Sequence, residues 1–320
     1  MRWLEQEWRD EAESWIRERA RVTGEIEQPH VYPWSTVMRV PTPDGDLWFK
    51  ATTPEVHGFE PELTALLSEA FPDRTTELLA IDSTRGWMLM RDAGARLREL
   101  MAPAGDLHHW ETILPRYAEI QIALAPRIEE LLAFGVPDER LGGMADKVEA
   151  VLEDDGALLL DQPDGLTSNE RDELRSRMPE LRGLIGELEA FGIPETIQHD
   201  DFHDGQVFVR DGRYLLLDWG DSCVSHPFHT LTVTLRALAW RHSLEPGSDA
   251  LLRLRDAYLE PYGAPSAAAD LAYRTGTLGR ALAWHRYVQG RPEDATRDDA
   301  ESVPYGLRLF LENGPIGTWE

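Results

Sequence analysis

Cysteine and lysine are nearly missing from this chain of 320 residues. The one cysteine is Cys223, so neither an internal disulfide nor a cysteine-built zinc site can form. Lysine stands only at positions 50 and 147, and the other basic residues are arginine. Positive charge is scarce as a whole: 58 acidic residues against 32 basic ones leave a formal net charge of -26. Such a surface repels the phosphates of nucleic acid and of anionic membranes, so neither is expected as a partner. It promotes solubility and also suits a cationic ligand. Long apolar runs are absent too. None reaches the ~20 residues of a membrane span. The opening Met1-Arg2-Trp3-Leu4-Glu5-Gln6-Glu7 has no apolar signal core, and the expected location is cytoplasmic.

What is present suffices for a large core. A hydrophobic content of 42% fits a soluble globular chain, and the length allows one large domain or two lobes around a cleft. Leu4, Trp8, Ala12, Trp15, Ile16 and Ala20 recur at helical spacing and predict an amphipathic helix over 3–21. Strand-like runs follow at 30–34, 36–40 and 47–51, with Asp44-Gly45 as a turn, and again at 78–82 and 86–92. A helix begins at Glu60-Pro61-Glu62-Leu63. Beyond Gly94 the pattern is mostly helical, with helices at 110–134, 170–190, 228–243, 248–261, 267–289 and 303–312 and a loop at 154–168.

One stretch carries chemistry. His199-Asp200-Asp201-Phe202-His203-Asp204-Gly205-Gln206 is followed by Asp218-Trp219-Gly220-Asp221. A carboxylate, an amide five residues on and a second carboxylate are what phosphoryl transfer needs. Asp201 can orient a hydroxyl and take its proton, while Gln206 and Asp218 supply oxygen ligands for magnesium. Between the motifs, Gln206–Val209 and Tyr214–Asp218 are β-prone, and Asp211-Gly212 signals a two-residue hairpin loop. That register sets Val209 opposite Tyr214, Val207 opposite Leu216 and Gly205 opposite Asp218.

The segment resembles the catalytic loop of the aminoglycoside phosphotransferase and choline kinase superfamily, His-Gly-Asp-Leu-His-x-Gly-Asn, then Asp-Trp or Asp-Phe after a hairpin. Asp201 matches the catalytic Asp, and Gln206 stands for the metal-binding Asn. Asp218 matches the metal-binding Asp, and His199 the loop's first His. Asp200 replaces a glycine. Gln in place of Asn resembles the maltokinase and glucosamine kinase branch. The resemblance implies an α+β, bilobal, protein-kinase-like fold: a small antiparallel sheet with helices over 1–92, binding nucleotide, and a larger, mostly helical lobe over 93–320 carrying the catalytic loop and acceptor site. It implies ATP and Mg2+ as cofactors. Lys50 would contact the α- and β-phosphates, with Glu60 chosen over Glu62 as its partner. Ser35 and Thr36, in the loop 33–36, would cap phosphate oxygens, since no Gly-x-Gly-x-x-Gly precedes Lys50. The backbone of Arg91 to Ala93 would read the adenine edge, with Met90 behind it. Asp221 would serve a second metal or support the first.

The acceptor would be a small hydroxylated molecule, such as an aminoglycoside, aminosugar or sugar, and cationic if the acidic surface serves recognition. Asp204, His226 and His229 are candidate acceptor contacts, with Trp284-His285-Arg286-Tyr287 as a further wall. Two rival readings stand beside the kinase. His199, Asp201, His203 and Asp218 could form a zinc or manganese hydrolase site. Gln206 also suits an ATP-binding pseudoenzyme that regulates a partner. The absence of an Ala-Pro-Glu element and of a long segment after Asp218 argues against a protein kinase. Oligomeric state is not legible.

Overall fold

Alternation of large apolar and polar residues in the first hundred positions builds a sheet that must cover one face. The structure is a computed structural model and describes residues 2–101, 107–290 and 296–318. Its strands are β1 (Glu27–Val31), β2 (Ser35–Val40), β3 (Leu47–Thr52), β4 (Leu78–Asp82), β5 (Trp87–Arg91), β6 (Ala95–Arg96), β7 (Thr196–Gln198), β8 (Val207–Arg210), β9 (Arg213–Leu216) and β10 (Cys223–Ser225). The chain divides into two compact units: Met1–Leu100 with Asp204–Gly220, and Met101–His203 with Asp221–Glu320.

In the first unit, β1-β2-β3-β5-β4 form one antiparallel sheet. The helix Gln6–Arg17 closes one face. Its Trp15 and Ile16, with Trp3 ahead of it, join Phe49, Met38 and Trp87 in a buried cluster. Rings meet edge-on there, Trp15 5.7 Å from Phe49 and 5.8 Å from Trp87, the arrangement that aromatic quadrupoles favour. The predicted helix over 3–21 is shorter, because a 3-10 turn at Arg2–Leu4 precedes it. The hairpin β8–β9 belongs to this unit as well. It pairs with β6 through Ala95↔Val209 and Arg96↔Phe208, which carries the unit past residue 92 and adds a segment more than a hundred residues downstream.

The second unit is helical around a two-stranded ladder of β7 and β10. Two predicted helices are each split by proline. The 110–134 span becomes His108–Leu124 and Ile128–Ala133, divided at Pro126, and the 170–190 span becomes Ser168–Ser176 and Met178–Glu189, divided ahead of Pro179. The sequence reading missed the helix Leu141–Leu152. Paired glycines at 142 and 143 sit in its first turn and mask the periodicity. Among the described residues no helix is long and apolar enough to cross a membrane.

Candidate active site

Lys50 lies mid-strand in β3, between Val37 of β2 and Met88 of β5, and is 8% exposed. A buried ammonium needs anionic partners. Lys50 Nζ stands 2.5 Å from Glu60 Oε1 and 2.5 Å from Asp218 Oδ1. Burial opposes its charge, but Asp218 and Glu60 outweigh burial and hold it protonated above the ordinary lysine range. Glu60 opens the helix Glu60–Ala70. Glu62 turns elsewhere, accepting from Ser83 Oγ at 2.6 Å. Gly220 packs against this cluster: a Cβ there would stand 3.1 Å from Glu60 Oε2 and 3.4 Å from His57.

The hairpin delivers Asp218. Its register is Val207↔Leu216 and Val209↔Tyr214, as the Asp-Gly turn predicts, with Asp211 and Gly212 both at positive φ, 51° and 72°. The Leu217 N–H donates to Gln206 O at 3.0 Å, so Gln206 and Asp218 leave the ladder at the same end. Asp218 is itself left-handed, φ 65°, with its side chain 48% exposed. An accessible carboxylate and an amide leaving the same end of a ladder are hard-oxygen donors of the kind magnesium takes.

Asp204, expected as an acceptor contact, has a partner within the first unit. Its carboxylate is buried, 3.1 Å from Arg98 Nη2, and its carbonyl accepts the Arg98 N–H. Within the first unit it is the buried partner of Arg98.

In the second unit, the loop after β7 is held from beneath. The His199 N–H donates to the Tyr117 hydroxyl at 2.9 Å, and His199 Nδ1 accepts the Asp201 N–H at 3.4 Å. Gln121, fully buried, donates from its amide to Ile197 O at 2.8 Å and accepts from the Tyr258 hydroxyl at 2.5 Å. The Asp201 carboxylate lies 3.4 Å from His203 Nε2 and 3.6 Å from Arg280 Nη2, with 22% of its side chain exposed. Asp200 is left-handed, φ 61°, where the resembling families carry glycine, and its carboxylate is buried. Burial pushes it up to about 6 against the pull of Arg280 and Arg286.

His226 and His229 are the other expected acceptor contacts. Both are buried. The Phe228 N–H donates to His226 Nδ1 at 3.3 Å, and His229 lies 3.1 Å from Ser225 Oγ and 3.0 Å from Thr275 Oγ1. Burial lowers His226 well below the ordinary histidine range and His229 to about 3. Buried and neutral, both rings are engaged by core partners. Of the proposed wall, Tyr287 is buried against Trp284, ring centroids 5.4 Å apart, and Arg286 pairs with Glu139 at 2.7 Å.

The nucleotide-facing expectations also shift. The turn is Tyr32–Ser35, with the Tyr32 N–H on Ser35 O, so Ser35 and Thr36 open β2 and do not lie in the loop. Thr36 Oγ1 donates to His30 O and accepts from Gln28, both at 2.8 Å, and has no donor left for a phosphate. The Arg91 N–H donates to Glu77 O and its carbonyl accepts from Thr76 Oγ1, so Arg91 has no backbone donor for a base. Met90 and Ala93 are buried. For the hydrolase alternative, no group of three or more His, Cys, Asp or Glu side chains among the described residues is placed to hold a metal.

Sequence reasoning missed Tyr117, Gln121, Arg98 and Arg280. Only Arg280 had a signal: an acid in place of a glycine before Asp201 calls for a cationic partner.

The fold and this site define a kinase-like phosphotransferase class. The sequence model of the phosphotransferase enzyme family, APH, matches residues 53–271, and the chain belongs to that family. No curated protein matches the chain. Among solved structures, it is similar to a choline/ethanolamine kinase family protein from Mesorhizobium loti, 20% identical over 95% of both chains, TM-score 0.58. It is similar to the macrolide 2'-phosphotransferase MphH from Brachybacterium faecium, 16% identical over 91% of this chain and 96% of that one, TM-score 0.61. It is also similar to the amicoumacin kinase hAmiN in complex with AMP-PNP, Ca2+ and Ami, 12% identical over 97% and 95%, TM-score 0.57.

Proposed function

We propose that this protein transfers the γ-phosphoryl group of ATP to a hydroxyl of a small molecule. The observation that carries the reading is the buried Lys50 ammonium held by Glu60 and Asp218, at the end of the hairpin where Gln206 also emerges. Glu60 keeps Lys50 aimed, and Lys50 neutralises the α- and β-phosphates. Gln206 and Asp218 would hold magnesium, which supplies charge neutralisation at the phosphates when bound. With Lys50 drawn to phosphate oxygens, Asp218 Oδ1 would be available as a metal ligand. Asp201 accepts the hydrogen bond of the acceptor hydroxyl and takes its proton late in transfer, a task an ordinary carboxylate can perform. The acceptor class is a hydroxylated small molecule: an aminoglycoside, an aminosugar or a sugar. The strongly negative surface favours a cationic member.

The test is ADP release by the purified protein with magnesium and ATP against an aminoglycoside and sugar panel, with ATP affinity measured separately. Asp201→Asn should lower turnover by about 10²–10⁴ with ATP affinity kept, as expected of a lost general base. Lys50→Ala should weaken both. Near-normal turnover in Lys50→Ala rejects the kinase reading, and ATP binding with a blank panel favours the regulatory pseudoenzyme.

A further inference from the structure

Arg280 stands on the helix Ser266–Gly290, far in sequence from the loop, yet it reaches two consecutive residues there. Its Nη1 donates to the Asp200 carbonyl at 2.8 Å and to Asp200 Oδ2 at 3.0 Å. Its Nη2 lies 3.6 Å from Asp201 Oδ1. Gln198 Nε2 donates to the other Asp200 oxygen at 3.1 Å. The guanidinium also lies over the Trp284 ring, 5.1 Å from its centroid, so its plane is set from behind. Asp200 occupies the left-handed region, which costs a residue with a Cβ roughly 1–2 kcal/mol. Nothing in the proposed transfer uses Asp200 or Arg280. A buried acid at a strained position, bonded through both side chain and carbonyl to one arginine, is nevertheless a strong local constraint.

We propose that Arg280 is a positioning residue: by gripping the carbonyl and carboxylate of Asp200 it holds the left-handed turn that aims Asp201. The pair takes the place of glycine's freedom at this position and adds rigidity that glycine lacks. The role of Asp201 rests on the phosphotransferase reading; the grip on the turn does not. Arg280→Met leaves Asp200 buried without its cation and risks the fold. Asp200→Gly combined with Arg280→Met removes both charges and gives position 200 the residue that tolerates positive φ.

Two measurements separate this proposal from the function itself. The first is amide hydrogen exchange across residues 197–206 in the nucleotide-free protein, which needs no activity. The grip predicts exchange at least tenfold faster in Arg280→Met, and in the double variant, than in the unaltered protein, with other segments unchanged. Equal exchange in all three overturns the proposal whatever the enzyme does. The second is consumption of magnesium ATP without acceptor, read as kcat and KM. Arg280→Met should lose kcat about tenfold or more at constant KM, Arg280→Lys should recover part of it, and the double variant should be no worse than Arg280→Met. Loss appearing in KM, or a double variant whose losses multiply, overturns action through Asp200. If the unaltered protein neither binds nor consumes ATP, the phosphotransferase reading fails while the exchange result still decides the grip.

Discussion

Gly220 shows how narrowly single residues are constrained at this site. It needs no unusual φ; it is small because Glu60 Oε2 and His57 press on it. Gly220→Ala should push the Glu60 carboxylate back by a few tenths of an ångström, since a contact near 3.1 Å is tighter than most Cβ contacts. The expected outcome is a loss of about 1–3 kcal/mol in urea unfolding together with weaker ATP binding. Unchanged values for both would show that the Lys50–Glu60 pair adapts freely. Asp200 makes the converse point, since a residue can be forced into a backbone region it disfavours when its side chain finds a buried partner.

At the level of elements, the hairpin β8–β9 is flanked by Gln206 and Asp218, the proposed metal ligands. Its loop requires positive φ at both Asp211 and Gly212, which aspartate tolerates and glycine adopts freely. Gly212→Val should cost roughly 1–2 kcal/mol through that backbone strain. Because Gln206 and Asp218 leave from the far end of the same ladder, magnesium-dependent ATP affinity should fall as well. Calorimetric melting and ATP titration check the two effects; a melting loss with intact affinity would mean that the ladder end is held by something other than its turn. This element was legible beforehand, register included, because turn chemistry and period-2 patterning are local. The helix breaks at Pro126 and before Pro179 were legible in principle, since proline forbids the continuing hydrogen bond. The helix Leu141–Leu152 was not, because its stability comes from packing Met144, Val148 and Val151 into the second unit's interior rather than from propensity.

For the whole molecule, the interior histidines set an acid limit. His229, lowered to about 3, and His226, held well below the ordinary histidine range by burial, stay neutral when folded. Unfolded histidine binds a proton near pH 6.5, so their contribution is complete above that value and is lost as pH falls towards the folded value. At pH 5 the loss for His229 alone is about 2 kcal/mol. Asp200, raised to about 6, acts in the opposite sense: the folded chain takes up a proton there, and acidification from pH 7 to 5 returns about 1 kcal/mol. The two histidines outweigh it. Urea unfolding should therefore give a lower free energy at pH 5 than at pH 7, and His229→Gln should flatten the difference. A pH-independent free energy in the unaltered protein would show that these rings are hydrated.

The sequence alone determined what depends on neighbours along the chain. It established the strands and most helices, the Asp-Gly hairpin, the carboxylate–amide–carboxylate spacing and the lone N-terminal lysine, because backbone propensity, turn chemistry and periodicity act over a few residues. Tertiary structure decided what depends on burial and on partners far away in the chain. It put Glu60 and Asp218 on Lys50, turned His226 and His229 into neutral core groups and occupied Asp204 with Arg98. It also set Arg280 against Asp200 across 80 residues. A charge or an imidazole acquires its role from the dielectric and the counter-charges around it, and those are fixed only when distant segments pack.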